Sequence, residues 1–250
     1  MGFQLLVLQH TDRQGPGHLL LSAAERLSLN LHIVHCWQHA IPDPGTYDGL
    51  IILGGLPNMD EETTYPFLRE EKFFIKTWLS LNRPCLGFRL GCQLIAHSLH
   101  AEIKPNFTPS IGFIEGHLTS EGKHHPVFRN LTGPLTLFKW HGHALMPPLP
   151  GQISILATSR DCMVEAFSLK NRPHIIGVQF DNQAAHPENV KMRVQYNDPW
   201  RISYRKELYD NEHLINQSSL FYHTIREEFF TFFTNFIAMF PAPTDKTAAP

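Results

Sequence analysis

The chain of 250 residues lacks paired cysteines. Its four cysteines, Cys36, Cys85, Cys92 and Cys162, lie far apart or on apolar segments, and no CxxC pair occurs. The first ten residues, MGFQLLVLQH, have no basic n-region and only a short apolar run, which is typical of a first strand and not of a secretory signal. We therefore predict a cytoplasmic protein with reduced thiols and no disulfide framework.

Long apolar runs, a strong charge imbalance and nucleotide-binding glycine patterns are missing as well. The longest apolar-rich segment, FFTFFTNFIAMF at 229–240, is too short to span a bilayer. A net charge of −2 gives no electrostatic reason to expect nucleic acid or an anionic membrane as a partner. The patterns GxGxxG and GxxxxGK(S/T) do not occur, so we expect no cofactor.

Short apolar runs that alternate with helical patterns are present in the first hundred residues. Because this alternation is typical of parallel strands joined by helices, it predicts a three-layer α/β/α domain with a mostly parallel central sheet. The predicted strands are 3–9, 31–37, 47–55 and 84–88, and the predicted helices are 17–29, 66–82 and 90–100.

The pattern changes after residue 102. Short runs separated by turn residues up to 180, the first of them IGFIEGHLTS at 111–120, predict an antiparallel patch and a return to the main sheet, and helices follow over 187–240. We predict a single domain over 1–240 and a disordered tail over 241–250. One helical stripe, which we expect to lie in the core or alternatively at a homodimer interface, contains Phe221, Ile225, Phe229, Phe232, Phe236 and Phe240.

Unusual residues follow three of the predicted strands, at the edge of the sheet where ligands of α/β proteins bind. Gly54 and Gly55 follow the third strand, and the segment 180–183, Phe-Asp-Asn-Gln, follows a later one. The stretch CLGFRLGCQLIAHSLHA at 85–101 predicts a strand, a tight glycine-flanked turn and a helix. Such an elbow presents one side chain to a pocket, and here that side chain belongs to Arg89.

Several segments together resemble the class I glutamine amidotransferase family, and in particular its stand-alone, GMP-synthase-like members. They are YDGLIILGGLPNM, YPFLREEKFFI, PCLGFRLGCQLIA, FKWHGHALMPP and GVQF, and the likeness covers about residues 3 to 190. The resemblance implies flavodoxin-like layering of the sheet and helices. It also implies hydrolysis of the glutamine side-chain amide by a Cys nucleophile, which a His activates and a Glu orients.

The three positions that the resemblance assigns to catalysis carry other residues. The Cys position is Arg89, the His position is Asp181 and the Glu position is Gln183. The resemblance therefore implies a degenerate member without glutaminase activity, whose pocket persists for a small anionic or glutamine-like ligand or for a protein partner. The residues expected at the oxyanion loop and pocket are Gly54, Gly55, Leu90, Gln93, His141 and His143.

An arginine held at the tip of an elbow needs an anion nearby, since a buried unpaired charge is costly. Asp181 follows the neighbouring strand, so we predict an ion pair between Arg89 and Asp181 across the pocket. Two interpretations stay open. In the first, the ion pair only fills a pocket that has lost its function. In the second, Arg89 binds a carboxylate or phosphate of a ligand.

An alternative is an active amidotransferase or hydrolase with a rebuilt site. Its nucleophile would be Cys92, three residues beyond the elbow tip, and its base would be His186, from the sequence His-Pro-Glu that ends at Glu188, or His141. Two observations favour the degenerate form. Cys92 should point behind the elbow, and Pro187 followed by Glu188 is typical of a helix start.

Histidine is abundant, with sixteen residues, but its spacing does not predict a metal site. His32 and His35 have an odd spacing on a strand and should face opposite sides of the sheet. His141 and His143 fall near the pocket rim. We therefore expect that these histidines do not bind a metal ion.

Overall fold

A computed structural model of the protein describes residues 2–196 and 210–241. Apart from Pro241, the predicted disordered tail at 241–250 lies outside the described residues, as do residues 197–209 of the predicted C-terminal helical part. Within the described residues, nine strands form one sheet in the order β2-β1-β3-β4-β9-β8-β7-β5-β6.

The first half of this sheet is parallel, as the alternating pattern predicts. The strands β1 and β2 pair with each other, β1 pairs with β3, β3 with β4 and β4 with β9, in each case in parallel. The predicted return of the chain to the main sheet is thus confirmed. The bounds are Gln4–Gln9 for β1, Asn30–His35 for β2, Gly49–Ile52 for β3, Cys85–Phe88 for β4 and Arg172–Val178 for β9.

The second half is antiparallel and larger than the sequence suggests, so the sheet is mixed. It contains β5 (Glu102–Leu118), β6 (Leu135–Met146), β7 (Ile153–Ser159) and β8 (Ala166–Leu169). The first nine residues of β5 were not predicted as strand. They contain Pro105 and Pro109, and the register shifts between Pro105 and Ser110, which is the kind of irregularity that proline introduces into a strand.

Helices cover both faces of the sheet, which confirms the three layers. Along β1, Leu5 and Val7 belong to one core cluster while Leu6 and Leu8 belong to the other, because successive side chains alternate between the faces. The first face packs against α1 (His18–Arg26), α5 (Pro187–Gln195) and α6 (Asn211–Ala238), and the second packs against α2 (Phe67–Ser80) and α3 (Leu90–Ser98). A short helix α4 (Ser120–His124) follows β5.

The aromatic stripe of α6 lies in the core, which was one of its two predicted positions. Phe229, Phe232 and Phe236 are buried, and Phe233, which the predicted stripe omits, is fully buried. Leu220 on the opposite side of the helix is 74% exposed. Because the stripe packs on its own sheet, it offers no support for a homodimer, which stays a prediction.

None of the helices in the described residues is both long enough and apolar enough to cross a membrane.

Candidate functional site

The elbow between β4 and α3 holds Arg89 in a backbone conformation that few residues adopt. Its φ and ψ are 46° and −101°, in the left-handed half of the map. Glycines on both sides make the turn possible. A Cβ at Gly87 would lie 2.5 Å from the carbonyl carbon of Gly91, and a Cβ at Gly91 would overlap the carbonyl oxygen of Ile52. The sharp turn therefore requires glycine at positions 87 and 91.

The predicted ion pair between Arg89 and Asp181 is present. The Nε of Arg89 donates to Oδ2 of Asp181 at 2.9 Å, and the side chains are 7% and 0% exposed. The Nη2 of Arg89 also donates to the side-chain oxygen of Gln14. Gly54 makes room for the pair, since a Cβ there would lie 2.9 Å from Arg89 Nε and 3.0 Å from Asp181 Oδ1.

A second guanidinium, which the sequence analysis missed, shares the same carboxylate. Arg193 Nη1 donates to Asp181 Oδ2 at 2.8 Å, and the Arg193 guanidinium lies over the rings of Phe138 and Trp140. Arg193 could have been identified from its position on α5, where it lies one residue before the buried Val194 and three residues after the buried Val190. A charged residue on the apolar face of a helix indicates a buried partner.

Asp181 is paired with two positive charges. Among the described residues, its ion pairs are with the guanidinium groups of Arg89 and Arg193. Burial would raise the pKa of Asp181, but Arg193 and Arg89 overcome this effect and hold that pKa below its usual value. Asp181 is therefore ionised at neutral pH. Guanidinium groups also bind anionic ligands through charge-assisted hydrogen bonds.

Gln183 lies in the same cluster, as its position in the sequence predicts. Its Nε2 donates to Asp181 Oδ1 at 3.1 Å. Gln183 is 2% exposed, and its Oε1 has no hydrogen-bond partner among the described residues. The positions that the resemblance assigns to Cys, His and Glu thus meet in one place, and they hold an arginine, an aspartate and a glutamine.

A cavity of about 220 Å³ lies beside this cluster. Its lining includes five of the predicted site residues, Arg89, Leu90, Gln93, His141 and His143. The volume is below the roughly 300–1,000 Å³ of sites that take drug-sized ligands, so it suits a small molecule.

The wall of the cavity is organised around the His143 carbonyl oxygen. It accepts from Gln93 Nε2 at 3.0 Å and from Gln179 Nε2 at 3.2 Å, and Gln179 was not identified from the sequence. The predicted loop residue Gly55 packs behind this wall, where a Cβ would lie 2.7 Å from His10 Cβ and 3.0 Å from Leu90 Cδ2. Gly55 is therefore required for close packing of the loop.

Both histidines of the cavity are neutral near neutral pH. Burial lowers the pKa of His141 to about 3, helped by the charges of Lys139 and Arg89. Burial also lowers the pKa of His143. Neither imidazole adds positive charge to the cavity, and the positive group in its lining is the Arg89 guanidinium.

Cys92 points away from the cavity, as predicted. It is completely buried, and its Sγ lies so close to Gly177 that a Cβ there would be 2.9 Å away. Burial raises the pKa of the Cys92 thiol well above its usual value. A buried protonated thiol is a poor nucleophile.

His186 and Glu188 begin helix α5, as the helix-start interpretation predicts. His186 is the N-cap residue, its Nδ1 accepts from the Glu188 N–H at 3.2 Å, and Pro187 occupies the first helical position. The His186 ring stacks on His18 at 4.3 Å between centroids. These contacts place His186 beside another helix start and not beside Cys92.

A separate buried polar cluster lies on β6 and the loop before β8. Lys139, which is fully buried, pairs with Glu165 and lies 3.5 Å from an oxygen of Asp161. The hydroxyl of Ser110 donates to Asp161 at 2.6 Å, and the single hydroxyl of Ser159 lies within hydrogen-bond distance of both Asp161 and Glu165.

Among the described residues, three groups of side chains could hold a metal ion. Each contains a histidine, a glutamate and one further donor, and within each group the donor atoms lie within 4.8 Å of one another. They are His10, Cys36 and Glu71; His18, His186 and Glu188; and His141, Cys162 and Glu165. The predicted strand pair His32 and His35 is in none of them.

Curated proteins similar to this chain include glutamine amidotransferase-like and GMP synthase proteins. The chain is 29% identical over 157 residues to the glutamine amidotransferase-like protein YfeJ of Salmonella typhimurium, covering 61% of this chain and 65% of that protein. It is 30% identical over 141 residues to a subunit of the glutamine-hydrolysing GMP synthase of Thermoplasma acidophilum, covering 56% and 66%. The matched part thus spans slightly less than two thirds of either relative.

Solved structures support the fold. The crystal structure of a glutamine amidotransferase from Thermotoga maritima superposes with a TM-score of 0.82 at 20% identity, covering 95% of this chain and 99% of that one. A glutamine amidotransferase from Methylobacillus flagellatus gives a TM-score of 0.83 at 15% identity and covers both chains completely. These likenesses confirm the predicted flavodoxin-like α/β class.

The sequence model of the family described as glutamine amidotransferase class-I matches residues 15–196, which is most of the chain and includes the elbow, the cavity and Arg193. The chain belongs to the class-I glutamine amidotransferase family.

Proposed function

We propose that this protein is a degenerate class-I glutamine amidotransferase that does not hydrolyse glutamine and instead uses the cavity at the elbow to bind a small anionic ligand. The observation that carries the proposal is the ion pair of Arg89 with Asp181, at the positions assigned to the nucleophile and its base. A guanidinium is permanently charged and has no lone pair to attack a carbonyl. An ionised aspartate held by two arginines is a weak base.

The alternative of a rebuilt active site has little support from the geometry. Cys92 is buried on the far side of the elbow with a raised pKa, and His186 caps helix α5 against His18. His141 lines the cavity, but the Cys92 side chain does not. The elbow tip, where an attacking group would stand, is occupied by Arg89.

Charge and size together favour a small anion as the ligand. The Arg89 guanidinium lines a cavity with a volume of about 220 Å³. Carboxylates and phosphates bind guanidinium groups through charge-assisted hydrogen bonds, which are shorter and stronger than neutral ones. The ligand class follows from this chemistry.

A protein partner also belongs to this proposal. One relative is named as one subunit of a GMP synthase, which indicates that the relative works with another protein chain. We propose that this chain likewise acts together with a separate protein. Sedimentation of the purified chain over a range of concentrations tests the alternative prediction of a homodimer. A chain that stays monomeric at every concentration contradicts the homodimer.

The loss of glutaminase activity is tested by glutamate release from glutamine. We expect the purified protein to release glutamate no faster than a blank without protein. The alternative predicts glutamate release that is abolished in Cys92→Ala. Cys85 is a buried thiol on β4, and Cys85→Ala should leave this release intact. Glutamate release with this dependence on Cys92 would overturn the proposal.

A further inference from the structure

Three groups of side chains place possible metal ligands together, and in two of them the histidines are already engaged. Both ring nitrogens of His10 have partners, since Nδ1 lies 3.2 Å from the Gly54 oxygen and Nε2 lies 2.8 Å from Glu71. In the surface group, His186 Nδ1 accepts the N–H of Glu188 as a helix cap, and the Glu188 side chain is 73% exposed. Neither group offers a converging set of unused donors.

The third group, His141, Cys162 and Glu165, differs from the other two. A ring nitrogen of His141, the Cys162 sulfur and a Glu165 oxygen lie within 4.8 Å of one another, and the residues are 2%, 5% and 0% exposed. Two of their polar atoms, His141 Nε2 and Glu165 Oε2, have no hydrogen-bond partner among the described residues. Buried polar atoms without partners are uncommon, and a bound ion is one physical explanation for them.

The other polar atoms of His141 and Glu165 make hydrogen bonds of the kind that orient metal ligands. The shorter of the two contacts of His141 Nδ1, at 3.0 Å, is to the His143 carbonyl oxygen, which can only accept. Nδ1 therefore carries the proton, and the lone pair is on Nε2. The other oxygen of Glu165, Oε1, accepts from Lys139 and Ser159. A backbone carbonyl behind a histidine and donors behind a carboxylate are typical of metal sites.

Charges of both signs surround this group. The charges of Lys139 and Arg89 act on His141. Lys139 also faces two carboxylates, Glu165 and Asp161. When both carboxylates are ionised, these two and Lys139 together carry one negative charge, which a divalent cation and a Cys162 thiolate bring to zero. Burial raises the pKa of Glu165, so a proton on Glu165 competes with the cation.

We propose that His141, Cys162 and Glu165 bind a zinc ion. A ligand set of thiolate, imidazole and carboxylate binds zinc in preference to magnesium or calcium. Donor atoms around a tetrahedral zinc ion are about 3.3–3.8 Å apart, so side-chain movements of about 1 Å close the present group around the ion. A water molecule is the fourth ligand of the tetrahedral set. This inference does not depend on the proposed anionic ligand.

Cobalt(II) is a suitable probe, because it occupies zinc sites and gives a thiolate-to-metal charge-transfer absorption only when a sulfur binds it. Titration of the metal-stripped protein should give this absorption at one equivalent of cobalt, and zinc should displace it. Cys162→Ala should abolish the absorption, and Cys85→Ala should retain it. Ser159→Ala, which removes a hydrogen bond to Glu165, should weaken binding about 10–100-fold.

Circular dichroism and thermal melting of each variant show whether it is folded. A folded wild-type protein without the charge-transfer absorption contradicts the proposal. So does an absorption that survives in Cys162→Ala, since cobalt would then be bound to a different cysteine. If Cys162→Ala does not fold, His141→Gln is used in its place, and retention of stoichiometric binding in that variant has the same meaning.

Discussion

At the tip of the elbow, one carboxylate stabilises two arginines, and the contributions of the three residues to stability should be unequal. Asp181→Asn removes the common partner and leaves Arg89 and Arg193 buried side by side, so we expect it to lower the free energy of unfolding by about 3–5 kcal/mol. Arg89→Gln leaves Asp181 paired with Arg193, and we expect a loss of about 1–2 kcal/mol. Urea unfolding at pH 7 measures both.

The order of the two losses is the informative result. Asp181→Asn and Arg89→Gln remove one charge each from the same buried cluster, so they are matched in chemistry and place. A larger loss for Arg89→Gln would mean that Arg89 is stabilised mainly by a group other than Asp181.

The sequence predicted the pair of Arg89 with Asp181 and missed Arg193. The pair was predictable because both residues follow adjacent parallel strands, whose ends meet at one edge of the sheet. Arg193 lies on α5, and its approach to Asp181 depends on how that helix packs over Phe138 and Trp140. Helix packing of this kind is a tertiary property that local spacing does not determine.

Helix α6 provides the clearest test of the core at the level of an element. Phe233 is fully buried and stacks on Phe229 at 5.8 Å, so Phe233→Ala should lower the free energy of unfolding by about 3–5 kcal/mol. Leu220→Ala on the exposed side should change it by less than about 0.5 kcal/mol. Equal effects would mean that the stripe does not pack on this sheet.

The same helix should make stability depend on pH through Glu228. Burial raises the pKa of Glu228 from 4.5 to about 7, while its hydrogen bond from the Thr136 N–H opposes the change. A carboxyl with a raised pKa in the folded state is protonated there first, so its contribution to stability is present below pH 4.5 and is lost as the pH rises through 7.

Glu228→Gln keeps the acceptor and removes this titration. We expect the variant to match the wild type at pH 4.5 and to be more stable at pH 8 by about 1–2 kcal/mol, a value reduced because the side chain is partly exposed. Glu227→Gln is the control, because hydrogen bonding from Arg226 lowers the pKa of Glu227 and moves its titration below this range. A constant difference between Glu228→Gln and the wild type at all pH values would contradict the account.

The elements were largely predictable, with errors at particular places. The parallel strands and the helices between them follow from the periodicity of Leu, Ile and Val side chains. The start of β5 was missed because Pro105 and Pro109 interrupt the pattern, and its pairing with β6 is formed through a register shift. The extent of the antiparallel half depends on this long-range pairing, which a local pattern does not show.

For the whole molecule, the Arg89 guanidinium in the lining of the cavity predicts a preference between two similar ligands. Glutamate should raise the melting temperature more than glutamine at equal concentration, because only glutamate carries a second carboxylate. The difference should shrink in Arg89→Gln and at high salt, which screens charge interactions. A larger shift with glutamine would indicate that the cavity recognises the amide and not the anion.

We propose that, among the described residues, no side chain at the elbow attacks an amide, because Arg89 stands at the elbow tip and Cys92 lies buried behind it. Intact-mass spectrometry after incubation with an electrophilic glutamine analogue tests it most directly. We predict an unmodified mass in the native protein and modification of the cysteines only after unfolding. A stoichiometric adduct on Cys92 in the folded protein, prevented by excess glutamine, would contradict the account.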